Sequence, residues 1–368
     1  MQINKIKVFK NSEKFFVFRS KENKRFKVYK IAHKNPKKIK QEVQLLKKLI
    51  VKSKILKDKI PKIFKHGTIK KGIHSKKGFY ILDYIKGFTF TEIVKKNLCT
   101  LENFNRMNKI IFQIFLKITK EDLETKKVKT KINIKTLILN EFKKIKKRDL
   151  MKRFCEQKKI KIDNIEYKNI GSYLSEIFNS YSFKKTYEKK SYMSSLGHWN
   201  FHGGNIIFSN VKKNYKNFYL IDPDATWKIN DPFFSVARFV YTYIHDTIEN
   251  KKYHIETKTF KEIGAGKNNF KTKILWSSNI KKKYESNFSE YLSFRNKKNL
   301  KFLDKNEQTR LNMCLILCLL RGINSNFERK IQILDEKGTK FKNNSIYIFF
   351  CLLKFFKTLT LNLDIKNK

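Results

Sequence analysis

A segment rich in glycine and asparagine, followed by two short apolar runs, most constrains the fold of this chain. Residues 197–205 read GHWNFHGGN and lead into the apolar run Ile206-Ile207-Phe208. A second apolar run, Phe218 to Ile221, comes after a polar stretch and ends at Asp222. Two short apolar runs joined by a polar turn predict a β-hairpin. The sequence therefore predicts a hairpin with a polar loop before it and a carboxylate after it.

Asn205 and Asp222 lie at the two ends of this predicted hairpin, so their side chains can approach each other. An amide oxygen and a carboxylate are hard oxygen ligands, which suit Mg²⁺. Phosphoryl transfer needs such a metal site, because the metal neutralises charge on the phosphates. A purely structural role of both residues in a turn is the alternative.

The first 87 residues have the pattern of a small antiparallel sheet around one helix. Short aromatic and β-branched runs separated by polar turns predict a meander of strands. Asn35-Pro36 is a helix-start signal. The apolar residues that follow have the spacing of one helix face; they are Ile39, Val43, Leu46 and Ile50. The predicted strands are Val8-Phe9, Phe15 to Phe18, Phe26 to Ile31, Pro61 to Phe64 and Gly78 to Tyr84.

The chain after Gly87 is predicted to be mainly helical, apart from a catalytic-loop segment at 196–227. Apolar runs predict core helices at 309–325 and 343–360, and Cys314 and Cys318 have the spacing of one buried helix face. Residues 250–285 are polar and poorly patterned, which predicts an excursion or insert on the substrate side. We therefore expect an N-terminal lobe at 1–87 and a helical lobe at 88–368.

The loop segment resembles the catalytic loop of the aminoglycoside phosphotransferase and choline kinase superfamily. Those proteins carry H-G-D-x-H-x-x-N and then an I-D metal motif. The match places His198 and His202 at the two histidines, and Asn205 and Asp222 at the two metal ligands. The resemblance implies an α+β, two-lobed protein-kinase-like fold with ATP and Mg²⁺ as cofactors. It also implies transfer of phosphate to a hydroxyl of a small molecule.

The N-terminal third carries further parts of the same pattern. A lysine near the end of a predicted strand and a glutamate on the following helix match the pair that grips phosphates in kinase-like folds. Lys30 and Glu42 fit these positions, with Lys27 as the alternative lysine. The run FYILDYIKG, with Asp83 at its centre, resembles the hinge strand whose backbone holds adenine. The resemblance therefore extends over roughly residues 8–245.

Two departures from the family pattern concern catalysis. The aspartate that acts as catalytic base in the family is Asn200 here, and an amide cannot accept a proton at neutral pH. Base assistance typically contributes about 10²- to 10⁴-fold to the rate. The aspartate expected after Asp231-Pro232 is Ser235, which brings no charge, and Asp231-Pro232 is equally typical of a helix start. A nearby histidine or Asp224 are alternative bases.

These departures leave several functions open. One is a phosphotransferase in which Asn200, His202 and His198 line the acceptor side. Another is a degenerate kinase fold that binds a nucleotide or a partner without transferring phosphate. His198 and His202 could also be read as zinc ligands, but zinc sites usually need three or four such ligands.

The formal net charge of +52 raises a further possibility, a basic scaffold for RNA or anionic lipid. The excess is nearly all lysine and is spread along the whole chain, whereas base readout and phosphate clamping favour arginine. We therefore expect no specific nucleic-acid partner. Five cysteines without a C-x-x-C pair, and an N-terminus without an apolar run, predict a cytoplasmic protein with reduced thiols and no membrane span. The acceptor and the oligomeric state are not readable.

Overall fold

The protein is described by a computed structural model, in which each part of the chain belongs to one of two compact units. The first unit is Met1–Lys126 with Ser194–Val236, and the second is Lys127–Met193 with Ala237–Lys368. The described residues are 4–11, 15–22, 25–33, 35–71, 75–96, 98–124, 129–130, 133–157, 159–162, 165–187, 191–192, 200–209, 217–223, 231–249, 253–256, 271–276, 303–328 and 337–364.

The first unit is built on a five-stranded antiparallel sheet. Its strands follow the order β1-β2-β3-β5-β4. The register places Lys30 of the third strand opposite Tyr80 of the fifth and Val17 of the second. The strands are β1 (Asn4–Asn11), β2 (Phe15–Glu22), β3 (Arg25–Ala32), β4 (Ile63–Lys71) and β5 (Ser75–Asp83). All five predicted strands are confirmed, although β4 begins later and runs further than predicted.

Helix α1 (Pro36–Lys52) packs on one face of this sheet. Asn35 caps it, because its side chain accepts a hydrogen bond from the Lys38 N–H, and Pro36 suits the first turn. The predicted apolar face is buried at Ile39, Val43 and Leu46, while Ile50 is only half-buried. The shared core of helix and sheet contains Ala32, Ile39, Val43, Tyr80 and Leu82. This packing holds α1 against β3 and β5.

The predicted hairpin is confirmed in the rest of the first unit. Its strands β11 (Ile206–Phe208) and β12 (Phe218–Leu220) pair antiparallel, and β11 also pairs with β6 (Phe88–Thr89). Gly87 precedes β6, and a Cβ there would lie 2.0 Å from the Phe208 carbonyl oxygen, so no larger residue fits. The helices of this unit after α1 are α2 (Phe90–Lys95) and α3 (Leu101–Glu124).

The second unit is mainly helical, as predicted. Cys314 and Cys318 are both fully buried, which confirms the predicted core face. The buried Glu141 carboxylate accepts a hydrogen bond of 2.8 Å from Asn324 Nδ2. The helices are α4 (Ile134–Lys146), α5 (Asp149–Glu156), α6 (Ile170–Asn179), α7 (Tyr181–Tyr187), α8 (Phe234–Glu249, starting in the first unit), α9 (Lys305–Glu328) and α10 (Lys337–Asp364).

The second unit also contains short strands that the sequence does not predict. A four-stranded sheet has the order β13-β14-β8-β9, and a two-stranded one joins β7 and β10. Two of the missed strands lie in the polar segment 250–285, where only an excursion was predicted. These strands are only two to six residues long, so even the alternation of KIKI in one of them does not stand out in a lysine-rich sequence. The strands are β7 (Lys129–Thr130), β8 (Lys159–Ile162), β9 (Ile165–Lys168), β10 (Ser191–Tyr192), β13 (Tyr253–Glu256) and β14 (Lys271–Trp276).

None of the helices, over the residues that the structure describes, combines the length and apolarity that a membrane crossing requires.

Candidate functional site

Lys30 is the centre of a buried charge cluster in the first unit. It lies near the end of β3, on the face that α1 covers, and only 6% of its surface is exposed. Its Nζ donates to the Glu42 carboxylate at 2.7 Å and also bonds the Asp222 carboxylate. Glu42, on α1, is 1% exposed. Three segments far apart in the sequence therefore bring one cation and two carboxylates together, and the structure favours Lys30 over Lys27 for this position.

Lys27 and Lys30 are three positions apart on β3. Successive side chains of a strand point to opposite faces of the sheet, so Lys27 lies on the face opposite Lys30. Its Nζ bonds Glu22 at 2.7 Å. It therefore makes a separate ion pair that does not involve Glu42 or Asp222.

The electrostatics of the cluster follow from its burial. Burial by itself lowers the pKa of Lys30, but the Tyr80 oxygen and the carboxylates of Asp222 and Glu42 outweigh it, so the pKa is raised and the lysine stays charged. Burial raises the pKa of Glu42 above its usual range, and the neighbouring Lys30 offsets this only in part. The ammonium is thus held as a permanent positive charge in a poorly solvated place.

Tyr80 belongs to this cluster and was not singled out from the sequence. It is 2% exposed, pairs with Lys30 across β3 and β5, and its ring centroid lies 5.7 Å from the Lys30 Nζ. Burial raises the pKa of the phenol, so it remains neutral. The strand pairing that creates this contact has no local signal in the sequence.

Asn205 and Asp222 are brought together, as predicted for a metal pair. The Asn205 side-chain amide donates to the Asp222 main-chain carbonyl at 3.2 Å and to the Asn200 carbonyl at 3.1 Å. Ile221, which precedes Asp222, donates its N–H to the Asn205 carbonyl at 3.0 Å. With its NH₂ group bound to two carbonyls, Asn205 has its oxygen left as a ligand atom.

Asp222 has a backbone φ of +52°, in the left-handed region that is uncommon for residues other than glycine, although aspartate, asparagine and histidine adopt it more often than the rest. Such a conformation costs on the order of 1 kcal/mol or more, and it persists only where the surroundings hold it. Here two side-chain amides hold the Asp222 carbonyl, since Asn200 also donates to it at 3.2 Å. The strained residue is therefore the one predicted to bind the metal.

His202 and Phe201 order the loop before the hairpin. The His202 Nδ1 accepts a hydrogen bond from the Gly204 N–H at 3.1 Å, and this contact caps the one-turn 3₁₀ helix Gly203–Asn205. Phe201 is buried and stacks on Phe115 of α3 with ring centroids 4.2 Å apart. The local geometry gives His202 a turn-capping contact in addition to the acceptor-side role that the sequence predicts. His198 and Asp224 lie outside the described residues.

The predicted hinge contains the end of β5 and the residues that follow it. The Asp83 N–H already donates to Lys62 at 3.0 Å, and the Tyr84 N–H donates to Phe26 at 3.2 Å. Neither N–H is available to a base. For the next residue, Ile85, no main-chain hydrogen bond occurs within the described part of the chain.

Asp231 is 1% exposed, and its carboxylate accepts from the Phe233 N–H at 2.9 Å just before α8 begins. This is the helix-start contact that the Asp-Pro pair predicts. Ser235, where the resemblance implies an aspartate, is also buried.

A magnesium ion fits the donor set at Asn205 and Asp222. An amide oxygen and a carboxylate that is 43% exposed offer two hard ligands, and Mg²⁺ usually keeps waters and substrate phosphates as its remaining ligands. No group of three His, Cys, Asp or Glu side chains with metal-binding geometry occurs among the described residues.

Comparisons of the sequence find no matching family model and no matching curated protein. Comparison of the structure does find matches. Aminoglycoside phosphotransferase APH(4)-Ia superposes with a TM-score of 0.53 at 10% identity, covering 96% of this chain and 94% of that chain. A thermostable mutant of it, in a ternary complex with AMP-PNP and hygromycin B, gives 0.52 at 10% identity over 96% and 95%. Its apo form gives 0.51 at 11% identity over 95% of each chain.

The chain has the kinase-like fold of the aminoglycoside phosphotransferases. The predicted fold class, an α+β two-lobed kinase-like architecture, is thereby confirmed over nearly the whole length. At this identity the likeness shows the kinase-like fold, and what the fold does here has to be argued from the residues of the cluster around Lys30.

Proposed function

We propose that this chain is a phosphotransferase that binds a nucleoside triphosphate, ATP in the family it resembles, and transfers phosphate to a hydroxyl of a small molecule. One observation carries the proposal: Lys30, Glu42 and Asp222 meet in one buried cluster, with Asn205 bonded to the Asp222 backbone. A chain that merely used the fold as a scaffold would not need to bury these charges. The solved neighbour in a complex with AMP-PNP and hygromycin B supports a nucleotide and a small-molecule acceptor.

In this proposal each residue has a separate task. Lys30 binds the phosphates, and Glu42 orients the ammonium. Asp222 and Asn205 hold Mg²⁺, which when bound neutralises charge on the phosphates. The backbone around Asp83 and Ile85 holds the base. Asn200, His202 and His198 line the acceptor side.

The absence of a carboxylate at Asn200 limits the rate but not the chemistry. Phosphoryl transfer passes through a loose transition state, so positioning and charge neutralisation carry most of the rate. Loss of a general base removes typically about 10²- to 10⁴-fold. We therefore propose a slow enzyme rather than an inert one.

Nucleotide binding is tested by thermal shift with ATP and Mg²⁺. We expect the wild type to be stabilised, and Lys30→Met to lose the ligand-induced shift. Lys27→Met is the matched control, because it removes the same side chain from the opposite face of the same strand. Lack of stabilisation of the wild type, or an equal loss in both variants, would contradict the proposal.

A nucleotide-binding pseudoenzyme is the second candidate, and the Asn200 contact favours it. The Asn200 amide donates to the Asp222 carbonyl, so its side chain supports the loop backbone. Turnover of ATP across sugars, amino alcohols and aminoglycosides distinguishes the two candidates. Binding with product formation supports the enzyme; binding without product, in wild type and in Asn200→Asp alike, supports the pseudoenzyme.

A further inference from the structure

The end of α1 is hydrogen-bonded to α3 through one carboxylate. Glu121, near the end of α3, accepts a hydrogen bond of 2.6 Å from the Ser53 hydroxyl and one of 2.7 Å from the Lys54 main-chain N–H. Ser53 is the residue at which α1 ends, and it is 1% exposed. Both helices belong to the first unit. A single side chain of α3 therefore uses both of its oxygens to hold the end of the helix that carries Glu42.

The Ser53 hydroxyl is itself fixed in direction. It accepts a hydrogen bond of 3.0 Å from the Leu56 N–H while it donates to Glu121. The Ser53 N–H donates to the Leu49 carbonyl at 3.0 Å, which closes the last turn of α1. A hydrogen bond to an ionised carboxylate is short and about twice as strong as a neutral one. The contact with Glu121 therefore fixes the direction in which α1 ends as well as its distance from α3.

Glu42 and Ser53 lie on one face of α1. Leu46 and Leu49 lie between them, and the successive spacings of four, three and four residues are those of one helix face. All four side chains are buried. Apolar packing is non-directional, so the two leucines fix the rotation of this face less sharply than hydrogen bonds do. The bonds to Glu121 therefore set the rotation at which α1 presents the Glu42 carboxylate.

The same helix, α3, also contacts the loop and the hairpin. Phe115 stacks on Phe201 of the loop with ring centroids 4.2 Å apart, and its centroid lies 6.4 Å from that of Phe218 on β12. Strand β12 leads into Asp222 two residues after it ends. Glu121 lies six residues beyond Phe115 on α3, a rise of about 9 Å. Helix α3 thus holds both the end of α1 and the hairpin that carries Asp222.

We propose that Glu121 is a positioning residue for nucleotide binding, because it holds α1 at the setting in which Glu42 meets Lys30. This inference rests on the proposed function, in which Glu42 orients the Lys30 ammonium. Without the Glu121 carboxylate, α1 loses two hydrogen bonds at its end. Glu42 is then held only by apolar packing and by its own bond of 2.7 Å to Lys30. A displaced Glu42 leaves the ammonium to Asp222, so phosphates are bound less well.

The experiment measures the affinity for Mg·ATP by calorimetry in the wild type and in variants of Glu121. We expect Glu121→Ala to bind roughly tenfold more weakly, the effect of misplacing one charge-assisted hydrogen bond. Glu121→Gln keeps the shape and one acceptor oxygen, so it should lose less. Glu124→Ala is the matched control, because Glu124 is exposed at the end of the same helix, and it should bind as the wild type does.

A double-mutant cycle with Glu42 separates positioning from a general effect on the fold. In Glu42→Ala no carboxylate remains to be positioned, so adding Glu121→Ala should weaken Mg·ATP binding no further. A residue that only stabilises the fold would lower the melting temperature and leave the affinity of the folded protein unchanged. Melting of each free variant checks that it is folded at the assay temperature, and Glu121→Gln carries the same test if the alanine variant is unfolded.

Two results would overturn this inference alone. One is binding of Mg·ATP by the folded Glu121 variants with the wild-type affinity. The other is an equal loss from Glu121→Ala in the presence and in the absence of the Glu42 carboxylate. If the wild type bound no Mg·ATP, the proposed function itself would be wrong, and this inference with it.

Discussion

The proposed phosphate side and the loop before the hairpin differ in charge, although both belong to the first unit. On the phosphate side Lys30 and Glu42 form a buried ion pair, and Lys30 also bonds Asp222, whose carboxylate is partly exposed. In the loop, the position where the resemblance implies an aspartate carries Asn200, a neutral amide. Asn200 uses its amide to hold the backbone of Asp222. The contrast is therefore between an ion-paired cluster around Lys30 and a loop whose Asn200 side chain is a neutral hydrogen-bond donor.

The two regions place different physical requirements on their side chains. Buried charges are stable only with their partners, so the phosphate side cannot lose one member without a large cost. A loop carbonyl accepts a hydrogen bond from an amide but not from an ionised carboxylate. Asn200 therefore supports the metal-ligand backbone better than an aspartate would, and an aspartate would serve better as a base.

The largest expected effect is on the phosphate side. Lys30→Met leaves Glu42 buried without its cation, and breaking a buried ion pair costs about 3–5 kcal/mol. We expect urea unfolding to show this loss in the free energy of unfolding. The double variant with Glu42→Leu should be less destabilised than Lys30→Met, because no unpaired charge remains.

The control for this measurement is Lys27→Met, whose ion pair with Glu22 is partly exposed and should contribute less than about 1 kcal/mol. If Lys30→Met and Lys27→Met lowered the free energy of unfolding equally, the buried ion pair would stabilise the fold no more than the partly exposed pair on the other face of the sheet.

The next largest expected effect is on turnover and Mg²⁺ binding, from substitution of Asn200 in the loop. Asn200→Asp supplies a base, and we expect turnover with a working acceptor to rise by about 10²-fold or more. The same change removes the donor to the Asp222 carbonyl, which should weaken Mg²⁺ binding by about 1 kcal/mol. Steady-state kinetics and Mn²⁺ titration measure the two quantities separately.

Asn200→Ala removes the donor without adding a base, so it should lose metal affinity and gain no turnover. If Asn200→Asp and Asn200→Ala behaved alike in both assays, the loop would not have the dual role described here.

A smaller effect is expected at Tyr80. Tyr80→Phe removes the phenol oxygen next to the Lys30 ammonium, and loss of one polar contact of this kind costs about 1 kcal/mol. Chemical denaturation would detect it, while the nucleotide-induced shift should remain, because Glu42 and Asp222 still orient the lysine. Loss of nucleotide binding in this variant would place Tyr80 in the binding machinery.

The smallest effect is a pH dependence. The pKa of Lys30 is raised above its ordinary value of 10.5, so its contribution to stability is fully present below pH 10.5 and is lost as the pH rises through the folded-state value. The stability difference between wild type and Lys30→Met should therefore stay constant between pH 8 and pH 10. A difference that narrows within that range would show that the cluster does not hold the lysine charged.

The solved neighbours have the kinase-like fold that the sequence predicts. The structure also brings together the two residue pairs that the sequence predicts to meet, Lys30 with Glu42 and Asn205 with Asp222. The five strands were readable as short aromatic and β-branched runs, helix α1 from the helical spacing of its apolar residues, and the hairpin from two apolar runs joined by a polar turn. The meeting of Lys30 with Glu42 was expected from the resemblance, and that of Asn205 with Asp222 from their places at the two ends of the hairpin. The strands of the second unit were not recognised because each is only two to six residues long.

The sequence by itself determined the local elements and the residue types of the candidate site, because periodicity, caps and turns act between neighbours in the chain. Only the tertiary structure decided which lysine is buried, that Tyr80 faces it, that Asn200 holds the Asp222 carbonyl, and that Glu121 bonds the end of α1. Each of these contacts joins segments that approach one another only through strand pairing and packing. Local residue patterns do not encode such contacts directly.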